Sequence, residues 1–272
     1  MSRADFEDSA DYVQSLARGL SVLRAFNHGL PSATLSEVAQ RAGLSRAVAR
    51  RSLLTLLHLG YVGQRGRQFF LTPRVLELGF GYLSSLDLTE VAQHAMEQLS
   101  ATVDESCSMA VLDGHEIVYV IRVPVRRVMS VNLGIGARLP AFATSMGRVL
   151  IADFPHATFE QWLQGVQWQA FTPQTRSRPD ALRAEIALVR AQGFALNLQE
   201  LEPNLCSVAV PLQDASGRVV AAINVGMAWR EGVEARIQKQ ILPALRHTRD
   251  AIALALVQGG WQPHMHLRHH YD

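Results

Sequence analysis

The chain is poor in the residues that would announce a membrane, a metal or a disulfide framework. It has two cysteines in 272 residues, Cys107 and Cys206, far apart and without a C-x-x-C partner. They are expected to be reduced, buried small residues, not a disulfide or a zinc site. No apolar run approaches the roughly 20 residues of a spanning helix. The start of the chain, with Asp5, Glu7 and Asp8, is unlike a signal peptide, so a cytoplasmic protein is expected. G-x-G-x-x-G, a Walker loop and H-E-x-x-H are all missing, which removes the usual nucleotide and zinc-protease signatures. Lysine is almost absent: Lys239 is the only one. Arginine enrichment therefore says nothing by itself, and only its location is informative. No cofactor and no metal are implied.

What is present is an ordinary globular composition, 48% hydrophobic and 18% charged, with length enough for two domains. The charge is divided unevenly. From Asp11 to Thr72 there are eight arginines against Asp11 and Glu37, whereas Pro73 onward holds seventeen basic and nineteen acidic residues. A basic module precedes a faintly acidic one, the electrostatic footprint of a nucleic-acid contact in the first segment.

That segment reads as a helix-turn-helix with a wing. Thr34 caps a helix and Glu37, three residues on, completes a capping box. Leu35, Val38, Ala39 and Ala42 form one apolar stripe, and Gly43 supplies the left-handed stop. Ser45 caps a second helix, about Arg46 to Leu59, expected to turn Val48, Ser52, Leu56 and Leu59 inward and Arg46, Arg50 and Arg51 outward. Gly60 ends it. Tyr61-Val62 and Phe69-Phe70-Leu71 flank Gln64-Arg65-Gly66-Arg67, a hairpin with arginines at its tip. Two amphipathic helices at a glycine turn also occur in proteins that never meet DNA; the concentration of arginine here favours DNA. Ser45, Arg46, Arg50, Arg51, Arg65 and Arg67 are the expected DNA-binding residues.

Around this module, residues 1–10 are polar and read as disordered, and 11–72 form the winged domain. Its first helix carries Val13, Leu16, Leu20, Leu23 and Phe26 on one face. Thr72-Pro73 opens a linker helix, 73–87, with enough apolar surface to pack against a second subunit. From 88 to 258 helices and antiparallel strands alternate, with Asp113-Gly114 and Asp214-Ala215-Ser216-Gly217 as hairpin turns. The expected strands are Ser108–Leu112, Ile117–Ile121, Val128–Leu133, Phe194–Leu198, Cys206–Pro211 and Val219–Met227. The class is α+β, a sensor-like domain and not a doubly wound sheet. Residues 259–272 are a histidine-rich tail, to which no metal role is assigned.

Catalysis finds little support. Ala143-Thr144-Ser145-Met146-Gly147 departs from the nucleophile elbow at Ala143 and lacks a clean strand before it. His94, His115 and His156 are scattered, and Asp113 belongs to a turn, so no Ser-His-Asp set follows. The same segment instead enters a helix through hydroxyl residues, leaving backbone amides suited to a carboxylate.

Several separated motifs in one order resemble the IclR family of transcriptional regulators. They are Tyr12 to Leu23, the winged helix, Arg138-Leu139-Pro140 with Ala143 to Arg148, and Glu200-Leu201-Glu202 followed by Ser207-Val208-Ala209-Val210-Pro211. Ser45 to Arg51 and Phe70 to Leu76 look most like the subgroup that controls aromatic-acid breakdown through the β-ketoadipate pathway, the PcaR, PcaU and PobR types. The resemblance implies an N-terminal winged helix-turn-helix, a linker helix and a GAF-like effector domain, assembled as a dimer or a dimer of dimers. It places a small-acid pocket at Ser145, Met146, Asn197, Leu205 and Ser207, with Val131 and Leu139 as apolar wall. Some relatives carry an acid where this chain has Asn197 and a cysteine where it has Ser207. Arg122, Arg126 and Arg127 are further charge partners to consider, at least two of them expected to be solvated. The partners implied are operator DNA, a small organic acid (an aromatic acid or a ring-cleavage product), a second copy of the chain and RNA polymerase. The alternative is a metabolite sensor whose basic domain docks a protein.

Overall fold

Capping sets where the first helices begin. α1 spans Gln14–Arg24, and a three-residue strand β1 (Ser32–Thr34) leads directly into α2 (Leu35–Arg41). The Thr34 hydroxyl accepts from the Glu37 amide, and the Glu37 carboxylate takes the Thr34 amide at 2.7 Å. Gly43, at φ +65°, turns the chain so that Leu44 N–H can donate to the Ala39 carbonyl. α3 (Arg46–His58) starts on Ser45, whose hydroxyl accepts from Val48 N–H. The wing strands β2 (Val62–Arg65) and β3 (Gln68–Leu71) are antiparallel, with Arg65 opposite Gln68 across the turn at Gly66. β1 pairs with the other edge of β3, so the wing is a three-stranded sheet and not a lone hairpin.

This computed structural model describes residues 6–27, 30–79, 87–125 and 133–259. They fall into two units, Met1–Ser84 and Ser85–Asp272. Most of the expected third strand, Val128–Leu133, the far half of the linker helix and the histidine-rich tail lie outside the described residues. Of the linker, a 3-10 turn (Pro73–Val75) continues helically over 76–79.

Two helix faces differ from expectation. In α3 the buried residues are Ala49, Leu53 and Leu56, while Val48 and Ser52 are half-buried and Leu59 is exposed. In α1 only Val22 is fully buried, and Val13, Leu16 and Leu20 are 59%, 62% and 50% exposed. The core of this unit is drawn toward the three-stranded sheet, through Ala33 of β1, Val62 of β2 and Phe69 of β3. A stripe read from helical period alone is therefore rotated.

In the C-terminal unit α4 (Asp87–Val103) precedes a hairpin of β4 (Ser106–Asp113) and β5 (Glu116–Val123). A short β6 (Arg138–Pro140) then leads through a 3-10 turn (Ala141–Ala143) into α5 (Ser145–Ala152). Leu139-Pro140 thus does belong to a strand, at the sheet edge where a proline can be accommodated. α6 (His156–Gln164) and α7 (Pro179–Gln192) follow, then β7 (Ala195–Leu198), β8 (Leu205–Gln213) and β9 (Val219–Ala228). The sequence pattern predicts one closing helix from Val233 to Val257, but it is divided into α8 (Val233–Arg236), a π turn (Ile237–Ile241) and α9 (Leu242–Gln258). The break coincides with Pro243, which has no amide to continue the ladder. The six strands form one antiparallel sheet in the order β6-β5-β4-β9-β8-β7. Every residue from Val219 to Met227 in β9 is buried, as a central strand covered on both faces must be. α4 packs with α9, and α5 lies across β8 and β9 with α7 over it. No helix among the described residues is long and apolar enough to cross a membrane.

α5 can start tight against the 3-10 turn before it because Gly147 has no side chain. A Cβ there would lie 2.1 Å from the Ala141 carbonyl oxygen. Gly147→Ala is expected to cost about 1–3 kcal/mol, as overpacking in a close-packed core does, measured by urea denaturation followed by tryptophan fluorescence.

Candidate DNA interface and effector pocket

In the N-terminal unit Ser45, Arg46, Arg50, Arg51, Arg65 and Arg67 are all exposed. The three arginines of α3 lie on its outward side, and Arg65 and Arg67 flank the tip at Gly66. None of these five arginines has an acidic partner among the described residues, whereas Arg138, Arg148, Arg176, Arg183 and Arg236 in the other unit are all paired. Cations held on a helix and a hairpin without internal counter-charge are free to meet phosphate and base edges. Arg51 also borders an apolar groove of about 670 Å³ between α1 and α3, which Leu16, Leu20, Leu59 and Leu78 line. The exit from the wing is latched to the end of α3. Arg74 donates to the Leu59 carbonyl at 2.9 Å and lies 5.4 Å from the centre of the Tyr61 ring.

In the C-terminal unit a small cavity of about 40 Å³ lies at the start of α5. Leu139, Ser145, Met146, Asn197, Leu205 and Ser207 border it, so six of the seven residues expected in an effector pocket are brought together; Val131 lies outside the described residues. Thr144 caps α5, accepting from Gly147 N–H at 3.1 Å. The Ser145 and Ser207 hydroxyls are 2.8 Å apart, and the Asn197 amide donates to the Ala143 carbonyl at 2.7 Å. Tyr119, Arg122 and Asn224 also border the cavity, and only Arg122 was singled out by sequence. Burial pushes the Tyr119 phenol up to about 12, against the opposing pull of the Arg122 charge, so its hydroxyl remains protonated at neutral pH. Cys107 and Cys206 are buried free thiols, with burial raising both to about 12. Neither is a reactive thiolate. Among the described residues no cluster of three or more histidine, cysteine or carboxylate side chains is placed to hold a metal.

Residues 15–66 match the family model of the IclR helix-turn-helix domain, and residues 80–254 that of the bacterial transcriptional regulator IclR C-terminal domain. The chain belongs to the IclR family. Over 241 residues it is 41% identical to the Pca regulon regulatory protein of Pseudomonas putida, covering 88% of this chain and 83% of that protein. It is 35% identical to the p-hydroxybenzoate hydroxylase transcriptional activator of Acinetobacter baylyi, with 89% and 91% covered. An IclR homolog from Microbacterium hydrocarbonoxydans, solved in complex with 4-hydroxybenzoate, matches at a TM-score of 0.78 and 28% identity, over 90% of this chain and 99% of that one. The protein is thus a transcriptional regulator and not an enzyme, close to regulators of aromatic-acid catabolism. The family also favours DNA over a protein partner as the target of the basic module.

Behind the pocket of this IclR-family protein lies a buried ion-pair network. Arg148, on the second turn of α5, and Glu200, just after β7, are both 0% exposed and form a two-pronged pair at 2.8 and 2.6 Å. Arg148 Nε also donates to the Phe142 carbonyl at 3.0 Å. Arg176 pairs with Glu200 and, at 3.1 Å, with Glu185. Thr172 and Thr175 donate to the carbonyls of Gln199 and Glu200, both at 2.6 Å. The family motifs at Arg148 and Glu200 are therefore a single structural unit that positions Ser145, Met146 and Asn197. Glu200→Ala takes away the two-pronged partner of a buried guanidinium, leaving it only Glu185 at 3.6 Å, and is expected to cost about 3–5 kcal/mol, with much of the loss regained in the Arg148→Met/Glu200→Leu double variant. Urea denaturation of the three proteins checks this. A double variant no more stable than Glu200→Ala would show that the pair's charge is not what the site depends on.

Proposed function

We propose that this regulator binds operator DNA through α3 and the wing, senses a small aromatic acid in the cavity below α5, and so controls an operon for aromatic-acid catabolism. The observation that carries the reading is the exposed arginine face of α3, which has no acidic partner among the described residues. Arg46 and Arg50 approach the major groove, at least one of them reaching base edges; Ser45 and Arg51 border the contact, and Arg65 and Arg67 touch backbone. It acts in the cytoplasm, where its operator lies, by occupancy or by contact with RNA polymerase.

The apolar groove bordered by Leu16, Leu20 and Leu59, continuous with Leu78 at the start of the linker, supports assembly as a dimer, with a dimer of dimers as the larger form. In the pocket, the amides at the start of α5 face the carboxylate, while Leu139, Met146, Leu205 and, from the family resemblance, Val131 cover the carbon skeleton. Ser145, Asn197 and Ser207 supply the nearby polar groups. A cavity of about 40 Å³ has room for only a few waters, so a ring enters by pushing its walls apart. The ligand's preference for that widened form is the free energy available to change operator affinity, and by reciprocity operator changes ligand affinity equally. The names of the relatives support an aromatic acid over a ring-cleavage product.

Arg46→Ala or Arg50→Ala is expected to weaken operator binding by about 1–3 kcal/mol and to relax sequence preference at one position. Losing Arg65 or Arg67 should weaken all duplexes alike. Titration against operator and scrambled duplexes separates the two, and footprinting should show half-sites about one helical turn or a multiple apart. Unchanged affinity in both α3 variants would remove this helix from the interface. Calorimetry should detect 4-hydroxybenzoate or protocatechuate on the wild type and at least about tenfold weaker binding to Ser145→Leu, whose larger side chain fills the cavity. Equal binding to both proteins would place the effector elsewhere.

A further inference from the structure

Most polar groups around the cavity are already engaged. The Ser145 and Ser207 hydroxyls meet each other, and Asn197 joins the Ala143 carbonyl to the Glu200 amide. Two groups differ. Arg122 Nε and Asn224 Oδ1 are buried, border the cavity, and meet no hydrogen-bond partner among the described residues. Asn224 as a whole is only 7% exposed. A buried donor and a buried acceptor left open cost free energy that a ligand with complementary groups recovers.

Strand register places these groups in a line. Ser108 on β4 is directly opposite Arg122 on β5 and, on its other side, directly opposite Asn224 on β9. Directly opposite residues share a face of the sheet, so Arg122, Ser108 and Asn224 form one row. From end to end the row crosses two strand spacings, roughly 10 Å between backbones. Arg122 Nη1 donates to the Ser108 hydroxyl at 2.8 Å, which orients the guanidinium while leaving Nε unused. The row thus offers a cationic donor at one end and a neutral acceptor at the other, with Leu133, Leu139 and Met146 as apolar neighbours.

We propose that this row reads the two ends of a single ligand, Arg122 pairing with a carboxylate and Asn224 accepting a hydrogen bond from a hydroxyl across the ring. The inference rests on the cavity being the effector site, and it narrows the effector to a hydroxylated aromatic acid. A diacid of the ring-cleavage type is disfavoured, because its second carboxylate would be buried against the neutral Asn224 amide, with no second cation among the residues that border the cavity. Arg122 supplies the full charge that the amides at the start of α5 lack.

Calorimetry on the full chain with 4-hydroxybenzoate, 4-methylbenzoate, 4-hydroxybenzamide and terephthalate tests it. The methyl compound keeps the shape without the donor, the amide removes the charge, and terephthalate replaces the hydroxyl by a second carboxylate. On the wild type, 4-hydroxybenzoate is expected to bind at least about tenfold more tightly than each of the others, since a site built around a hydroxyl leaves its own group unpaired when that hydroxyl is missing. Asn224→Leu should bring hydroxyl and methyl compounds to within about threefold while keeping the preference for acid over amide. Arg122→Gln should do the reverse. The wild-type ligand series decides the matter even if Asn224→Leu does not fold. If 4-hydroxybenzoate binds but is not selected over the methyl compound and terephthalate, or if selection survives in both variants, this inference falls and the effector-site reading stands. If none of the four binds, both fall together.

Discussion

A fully buried guanidinium is the constraint on which the C-terminal unit depends. Removing Arg148 from water is tolerable because its donors are taken up chiefly by Glu200 and the Phe142 carbonyl, with Glu185 3.6 Å away as a second counter-charge. Those partners come from the 3-10 turn before α5 and from the chain leaving β7, 52 positions away in sequence. One ion pair thereby sets the start of α5 against the edge of the sheet, and with it Ser145, Met146 and Asn197. Arg176 and Glu185 extend the network to the loop before α7 and to α7 itself, so the wall behind the pocket is held by charge and the pocket's own lining is left to shape and polarity.

That division suits a sensor. A rigid, fully satisfied network keeps one geometry, while the lining next to it has buried atoms with unmet hydrogen-bonding capacity and apolar side chains that can repack. A ligand in this cavity would act on the part that can respond. In the N-terminal unit the corresponding fixed point is the latch of Arg74 on the last carbonyl of α3, where a cation also meets the negative end of the helix. The chain leaves the N-terminal unit through this contact, which makes it the place where the start of the linker and the end of α3 are mechanically joined.

The polar floor of the pocket owes its form to an irregularity. In strict alternation Tyr119 and Arg122, three residues apart, would point to opposite faces. The register between β4 and β5 shifts at Met109/Ala110, pairing Met109 with Ile121 and Ala110 with Tyr119, so that Val120 is extra. The bulge returns Arg122 to the face that carries Tyr119. Reading the strand from its sequence stops at Ile121 and leaves Arg122 as one of three arginines considered as charge partners, with nothing to tell it from the two or more expected in solvent.

Features that depend on three or four neighbouring residues were legible from the chain alone. The capping box at Thr34 and Glu37, the Ser45 cap, the glycine stops at Gly43 and Gly60, the Asp113-Gly114 turn and the start of α5 at Ser145 all sit where their local chemistry puts them. The pocket residues Leu139, Ser145, Met146, Asn197, Leu205 and Ser207 came from family resemblance and not from periodicity, and no local signal marks Asn224. What only the tertiary structure decided is which surfaces face one another. The small sheet of β1 and β3 rotated the buried sides of α1 and α3, a proline divided the last helix, and the pairing of Arg148 with Glu200 joined two motifs that spacing could only name separately. Local hydrogen bonds close within a turn and are written in adjacent residues, whereas burial and charge pairing depend on partners that the sequence brings near only after the sheet has formed.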